Sequence, residues 1–417
     1  MDTYVVTGGN KLEGELSVQG SKNSALPIIA STILNGNTSL INNCPNISDT
    51  LIMKEILDLL GCSTNYENNC LLVNSKLCDR DDIPANLMKE MRSSIILMGA
   101  ILARHGRVTL SYPGGCEIGS RPIDLHLEGL KRLGATITEK HGYIVCEANK
   151  LKGAEISLDF PSVGATENIM LAATLADGVT VIRNAAREPE IIELQEFLKL
   201  CGAKIKGAGT GTIKIKGVGR LHEAEYDVKS DRIVAGTYLC AAAMNNGKVL
   251  LKNVVIENIR AIIHKLQETG CECRIIENNQ IFIKAPQKLN AVKTIKTLPY
   301  PGFPTDMQSQ MVTLLSIANG TSIVVENIFE NRYKYISELT KMGAEITIEG
   351  RTAIIKGVEK LTGACVEAKE LRGGASLVLA GLVAEGYTQI TGVKYIERGY
   401  EKLIDNLNNL GAKIEVK

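Results

Sequence analysis

The 417-residue sequence contains no tryptophan and only five phenylalanines, and aromatic residues make up 4% of it. No aromatic-and-basic stretch offers platforms on which bases could stack, which argues against a nucleic-acid-binding protein. A dominant charge is missing too, since 47 basic residues face 46 acidic ones for a net +1. Proteins that bind nucleic acid or a membrane surface normally carry a basic face or tail. No apolar run approaches the roughly 20 residues that a membrane span needs. The N-terminal MDTYVVTGGNKLEGELSVQG lacks a basic segment followed by an apolar one, so no signal peptide is expected. The eleven cysteines are scattered and odd in number, which fits a reducing cytosol better than a disulfide framework. Cys271 and Cys273 form a lone C-x-C pair with no histidine at finger-like spacing, so a buried strand face is expected there rather than a metal site. A cytoplasmic protein with no nucleic-acid, membrane or obligate protein partner is the expectation.

What the chain does have is an ordinary apolar share, 45%, and enough length for two domains. It also repeats itself. A small-residue mark at the end of a helical pattern recurs as LGCST, LGATI, CGAKI, TGCEC, MGAEI and LGAKI. Its glycines are Gly61, Gly134, Gly202, Gly270, Gly343 and Gly411, spaced by 68 or 73 residues. A second glycine precedes each mark and opens a short strand: Gly36, Gly106, Gly178, Gly247, Gly320 and Gly386. Each unit reads as an apolar helix ending at that first glycine in a left-handed cap, a β-branched strand, an amphipathic helix and two more strands. The sixth unit stops at GAKIEVK without its strand pair, and YVVTGGNKLEGELSV at the N-terminus matches the missing pattern. The chain is therefore expected to close on itself. Units with an unburied apolar face must stack to share a core, so six βαβαββ-like repeats, three per lobe, are expected rather than an open solenoid.

The repeat supplies a coordinate for chemistry. Fourteen residues before each first glycine stand Lys22, Arg92, Gly164, Ile233, Asp306 and Arg372, at the start of the apolar helix. Cations are disfavoured there by the helix dipole, by about 0.3–1 kcal/mol each. Three cations at one such position point to a bound anion, because helix N-termini with added Arg or Lys are ready anion sites. Asp306, in PGFPTDMQ, is ordinary as a cap, but an acid among cations could serve as a general base. Arg121 and Arg398 stand at equivalent loops, thirteen residues before their LGA glycines, and suit bidentate phosphate or carboxylate contact. The second unit carries an insertion, SYPGGCEIGSRPIDLH, that places Cys116 between glycines and beside Arg121. That context describes a lid loop whose thiol, lowered by cations, could deliver a proton or attack carbon.

At these residues the chain resembles the UDP-N-acetylglucosamine enolpyruvyl transferases, within the EPSP synthase superfamily. The resemblance runs essentially end to end. It rests on GSKNSALP at 20–27, MRSSI at 91–95, PGGCEIGSRPIDLH at 113–126, PSVGATENIM at 161–170, NAAREPEI at 184–191, FPTDMQ at 303–308, ENIFENR at 326–332, LRGGASLVLAG at 371–381 and ERGYEKL at 397–403. It implies transfer of the enolpyruvyl group of phosphoenolpyruvate to the 3′-hydroxyl of UDP-N-acetylglucosamine, for peptidoglycan synthesis, with no metal or organic cofactor. It implies a two-lobed inside-out α/β barrel, with residues 22–229 in one lobe and 1–21 plus 230–417 in the other. Lys22, Asn23, Arg121, Arg372 and Arg398 resemble phosphoenolpyruvate ligands. Arg92, Arg121, Pro122, Ile123, Asp124, Leu125, Ser162, Val163, Gly164, Asp306 and Ile328 resemble nucleotide-sugar contacts. Cys116 resembles the thiol that protonates phosphoenolpyruvate and that fosfomycin alkylates, and Asp306 the acceptor of the sugar proton. Two positions depart from some members: Ile96 replaces Trp and Glu370 replaces Asp. The rival readings are a shikimate-branch enolpyruvyl transferase, a silent nucleotide-sugar-binding paralogue, and an RNA-end cyclase on a related repeat.

Overall fold

The six LGA-type marks are six copies of one helix ending. In the computed structural model, which describes residues 2–112, 123–277 and 279–417, every mark glycine has a positive φ, between 92° and 105°. Each ends a helix whose last residue lies two positions earlier, as in Ser48–Leu59 before Gly61 and Pro189–Leu200 before Gly202. The N–H after the glycine returns to a carbonyl five residues back: Cys62 to Leu57, Ala135 to Leu130, Ala203 to Leu198, Cys271 to Leu266, Ala344 to Leu339 and Ala412 to Leu407. That is the 6→1 bond of a Schellman cap, which normally carries an apolar contact between the same two residues. All six acceptors are buried leucines, and all six donors are buried Ala or Cys.

The first glycines behave less uniformly. Five of them have positive φ, from 62° to 114°. Gly247 does not; there Asn246 takes the left-handed turn, at φ 49°. A Cβ at Gly247 would come within 2.6 Å of the Leu12 carbonyl oxygen, so close approach of backbone is what requires glycine.

Among the described residues the strands form six four-stranded sheets. The third repeat shows their pattern. Glu155–Ser157 pairs in parallel with Val179–Arg183, which pairs antiparallel with Thr212–Lys216, which pairs antiparallel with Lys204–Lys206. With the helices Val163–Thr174 and Pro189–Leu200 between them, the repeat reads βαβαββ.

The described residues divide into two compact units, one holding 2–19 and 230–417 and the other 20–112 and 123–229, with three sheets in each. Within each unit the three apolar helices are interior. Arg232–Met244 buries 12 of its 13 residues and Gln308–Leu315 all eight, as expected of helices apolar on every side. The amphipathic helices lie outside; Arg260–Glu268 buries only Ile262, Ile263 and Leu266. No described sheet closes into a strand barrel; the helices are within and the sheets without.

Circular closure is present, in a modified form. Tyr4–Thr7 lies between Tyr387–Thr391 and Lys413–Val416, completing the sixth repeat. The other N-terminal strand, Glu13–Ser17, does not stay with it. It pairs in parallel with Lys248–Lys252 of the fourth repeat, while Ala224–Asp227 pairs with Thr38–Asn42 of the first. The first and fourth repeats each take their leading strand from the segment that precedes a crossing between units. Sequence matching alone could not show this exchange, because both strands fit the same pattern.

Cys271 is buried and Cys273 sits on the strand Glu272–Glu277 against the core, as the C-x-C spacing suggested. The ten described cysteines are free thiols. No helix among the described residues is long and apolar enough to cross a membrane.

Candidate active site

The repeat coordinate holds to within one residue. Lys22 and Arg92 are the first residues of their helical segments, while Gly164, Ile233, Asp306 and Arg372 are the second. Four of the six first turns are fixed by side-chain caps. Ser21 accepts from the Ser24 N–H, Ser162 from Ala165, Asp231 from Ile233 and Val234, and Glu370 from Arg372 and Gly373. Glu370 thus does the capping that a shorter acid would do at this position.

The cations are not bare. Lys22 is buried, and its Nζ lies 3.2 Å from Oδ2 of Asp49, a fully buried acid in the first turn of the helix Ser48–Leu59. Arg372 is 2% exposed and donates from Nε (3.3 Å) and Nη2 (3.0 Å) to Oδ2 of Asp306. Arg332, equally buried, donates to the other oxygen at 2.9 Å. The chain supplies a carboxylate to two of the helix-start cations.

The Asp306 carboxylate therefore sits between two buried guanidiniums, with 26% of its own side chain exposed. Two cations at hydrogen-bond distance favour its ionised form. Burial works against the charge on Arg372, but Asp306, Tyr400 and Asp231 outweigh it and hold the guanidinium more firmly protonated. Burial likewise opposes the Arg332 charge, and Asp306, Glu370 and Glu326 outweigh it. Nη1 of Arg372 and both Nε and Nη1 of Arg332 are buried without an acceptor among the described residues. The Arg372 guanidinium stands 5.5 Å from the Tyr400 ring centroid. The Tyr400 hydroxyl meets Thr237 at 3.0 Å and Gln310 at 3.2 Å.

The turn that bears Asp306 is pinned by Glu326. This fully buried carboxylate accepts from Thr297 (2.8 Å), Thr305 (2.9 Å) and the backbone N–H groups of Ile328 (2.8 Å) and Phe329 (3.1 Å). Asp306 and the half-buried Ile328 are thereby tied to one group.

In the other unit, His126 packs against Gly164, where a Cβ would lie 3.1 Å from the imidazole. Its Nδ1 is 2.7 Å from Asn168 Nδ2, and Asn168 also bonds the Ile95 carbonyl and the Gly99 N–H. Burial, and then the charge of Arg92, push His126 down to about 4, so it is neutral near pH 7. Arg92, His126 and Gly164 are thus neighbours, and Ile123, Asp124 and Leu125 open the helix that carries His126. Ser162, Val163 and Gly164 are half-buried at their helix start, as is Asn23 beside Lys22. Arg398 is half-buried in the turn before the helix Leu403–Asn409. Cys116, Arg121 and Pro122 lie outside the described residues, as does most of the inserted loop.

Four residues of the site, Arg332, Glu326, His126 and Asp49, went unassigned in the sequence. Arg332 and His126 lie inside the matched blocks ENIFENR and PGGCEIGSRPIDLH, but neither occupies a repeated position. Asp49 lies on an outer helix, and only inner-helix starts had been compared.

Six βαβαββ repeats in two units, with cations and an acid at the starts of the inner helices, define the enolpyruvyl transferase fold. The enolpyruvyl transferase NikO from Streptomyces tendae has this fold, with a TM-score of 0.91 at 24% identity over 100% of this chain and 99% of that one. The chain belongs to the EPSP synthase (3-phosphoshikimate 1-carboxyvinyltransferase) family, whose pattern matches residues 6–407. It is 56% identical to UDP-N-acetylglucosamine 1-carboxyvinyltransferase 2 of Caldanaerobacter subterraneus subsp. tengcongensis, over 99% of both chains. It is 50% identical to UDP-N-acetylglucosamine 1-carboxyvinyltransferase 1 of the same organism, over 99% of this chain and 98% of the relative.

Proposed function

We propose that the chain transfers the enolpyruvyl group of phosphoenolpyruvate to the 3′-hydroxyl of UDP-N-acetylglucosamine, releasing phosphate, as the committing step of peptidoglycan synthesis in the cytoplasm. The observation that carries this reading is the Asp306 carboxylate, partly exposed and ion-paired with buried Arg332 and Arg372. Full-length identity of 56% to a protein named for this acceptor supports the choice of sugar nucleotide.

Lys22, Arg121, Arg372 and Arg398, with Asn23, neutralise phosphate and carboxylate. Arg92, the 121–125 and 162–164 segments, Asp306 and Ile328 hold the nucleotide sugar. Cys116 gives a proton to the methylene carbon of phosphoenolpyruvate. The sugar hydroxyl attacks the resulting oxocarbenium-like carbon while its proton passes to Asp306. The C–O bond to phosphate then breaks, the methyl carbon returns its proton, and the net proton leaves with phosphate. Catalysis is positioning, electrostatics and acid–base work.

Mass spectrometry of reactions offered UDP-N-acetylglucosamine or 3-phosphoshikimate with phosphoenolpyruvate tests the acceptor. The enolpyruvyl ether is expected from the nucleotide sugar alone. Product from 3-phosphoshikimate, or from neither, contradicts the proposal.

A further inference from the structure

The chain leaves one unit at Gln19 and enters the other at Gly20. On the far side, a Cβ at Gly20 would fall 1.8 Å from the Asn43 carbonyl oxygen, so the backbone is seated against that residue. On the near side, the Gln19 side chain is committed to the turn that carries Arg398. Its Nε2 donates to the Gly399 carbonyl at 3.2 Å, and its Oε1 accepts from the Glu401 N–H at 2.7 Å. The amide thus spans Tyr400, whose ring lies beside the Arg372 guanidinium. The turn is backed by Leu371, since a Cβ at Gly399 would come within 2.8 Å of its side chain. The Gln19 carbonyl accepts from the Asp231 N–H at 2.9 Å, and Asp231 caps the helix Arg232–Met244 at the second crossing.

We propose that Gln19 is a positioning residue for Arg398: its carboxamide fastens the main chain on both sides of Tyr400 and so fixes the turn on which that guanidinium stands. The inference rests on the reading of Arg398 as a phosphoenolpyruvate ligand and extends it to how that ligand is placed. A direct hydrogen-bond path of one residue carries it. Gln19 itself touches no reacting atom in this account. Its carboxamide is suited to the task because it supplies one donor and one acceptor to main-chain groups two residues apart.

The test uses the full-length chain with Gln19→Met, which keeps length and volume but removes both bonds. Loss of two neutral hydrogen bonds that orient one ligand is expected to raise KM for phosphoenolpyruvate about tenfold and lower kcat. KM for UDP-N-acetylglucosamine should stay within about twofold, because its proposed contacts lie elsewhere. The Glu401 amide should exchange its hydrogen faster in the variant. Gln19→Glu, which retains the acceptor for that N–H, should restore its protection. An unchanged KM for phosphoenolpyruvate, or equal rises in both KM values with a lowered Tm, would overturn the proposal. If the parent chain shows no turnover, the assignment of the reaction fails instead. Amide exchange then still decides, since unaltered Glu401 protection in Gln19→Met refutes the fastening itself.

Discussion

Replacing Asp306 by asparagine separates the two things its carboxylate is asked to do. The amide keeps the shape and one acceptor, but its NH2 group must face a guanidinium, because Arg332 and Arg372 occupy the two oxygens. Removing one partner of a buried ion pair costs about 3–5 kcal/mol. Here both arginines are 2% exposed but the acid side chain is 26% exposed, so water recovers part of the loss and about 2–3 kcal/mol is appropriate. For a unit of this size each kcal/mol moves Tm by about 2–4 °C, giving a fall of about 4–12 °C by calorimetry. Loss of a positioned base adds a fall in turnover of roughly 10²–10⁴ with both substrates saturating. Arg332→Met in the Asp306→Asn background should recover stability, by removing a stranded charge, without recovering turnover. Near-normal turnover of Asp306→Ala would refute the catalytic role, and an unshifted Tm for Asp306→Asn would refute the electrostatic one.

The other predictions concern pH, the buried pair and the caps. His126 is held down near 4 against an ordinary value of 6.5, so the unfolded chain binds more protons between those values. Its contribution to stability rises with pH across that window, to the order of 3 kcal/mol, and is lost as pH falls through it. The urea midpoint of the parent should therefore fall more between pH 7 and pH 4 than that of His126→Gln. Glu193 is pushed the other way, to about 7, chiefly by burial, so its share of stability is present below 4.5 and fades as pH rises to about 7. Glu193→Gln should flatten that slope in the same titration. Lys22→Met removes the cation 3.2 Å from the buried Asp49 carboxylate and should be less stable to urea than Lys22→Met/Asp49→Asn, while both variants raise KM for phosphoenolpyruvate. Gly343→Ala has room, since the nearest atom is 3.6 Å away, but not the conformation, at φ 93°. It should cost about 1–2 kcal/mol by denaturant titration, and Gly343→Asn less.

Much of this architecture was legible because each repeat must end two helices and expose a strand start, and glycine marks those places. The mark was more informative than its glycine: the leucine five residues before the residue that follows it closes the same cap in all six units. Gly247 was legible as a position but not as a conformation, since Asn246 could take the left-handed turn and only the approach of Leu12 required glycine. The exchange of leading strands was hidden because Glu13–Ser17 and Ala224–Asp227 fit either partner sheet by pattern. At the site, repetition exposed Lys22, Arg92, Asp306 and Arg372. It could not expose Asp49, Arg332 or Glu326, whose importance lies in what they touch across the unit rather than in any position they share.

The most direct test of the central claim is phosphate release from phosphoenolpyruvate, with and without UDP-N-acetylglucosamine, before and after fosfomycin treatment. Release that requires the nucleotide sugar, stops after the epoxide and leaves one adduct on Cys116 by mass spectrometry is the predicted result. Absence of release while the nucleotide sugar still binds would contradict it, and would leave a family member that holds the sugar without carrying out the transfer.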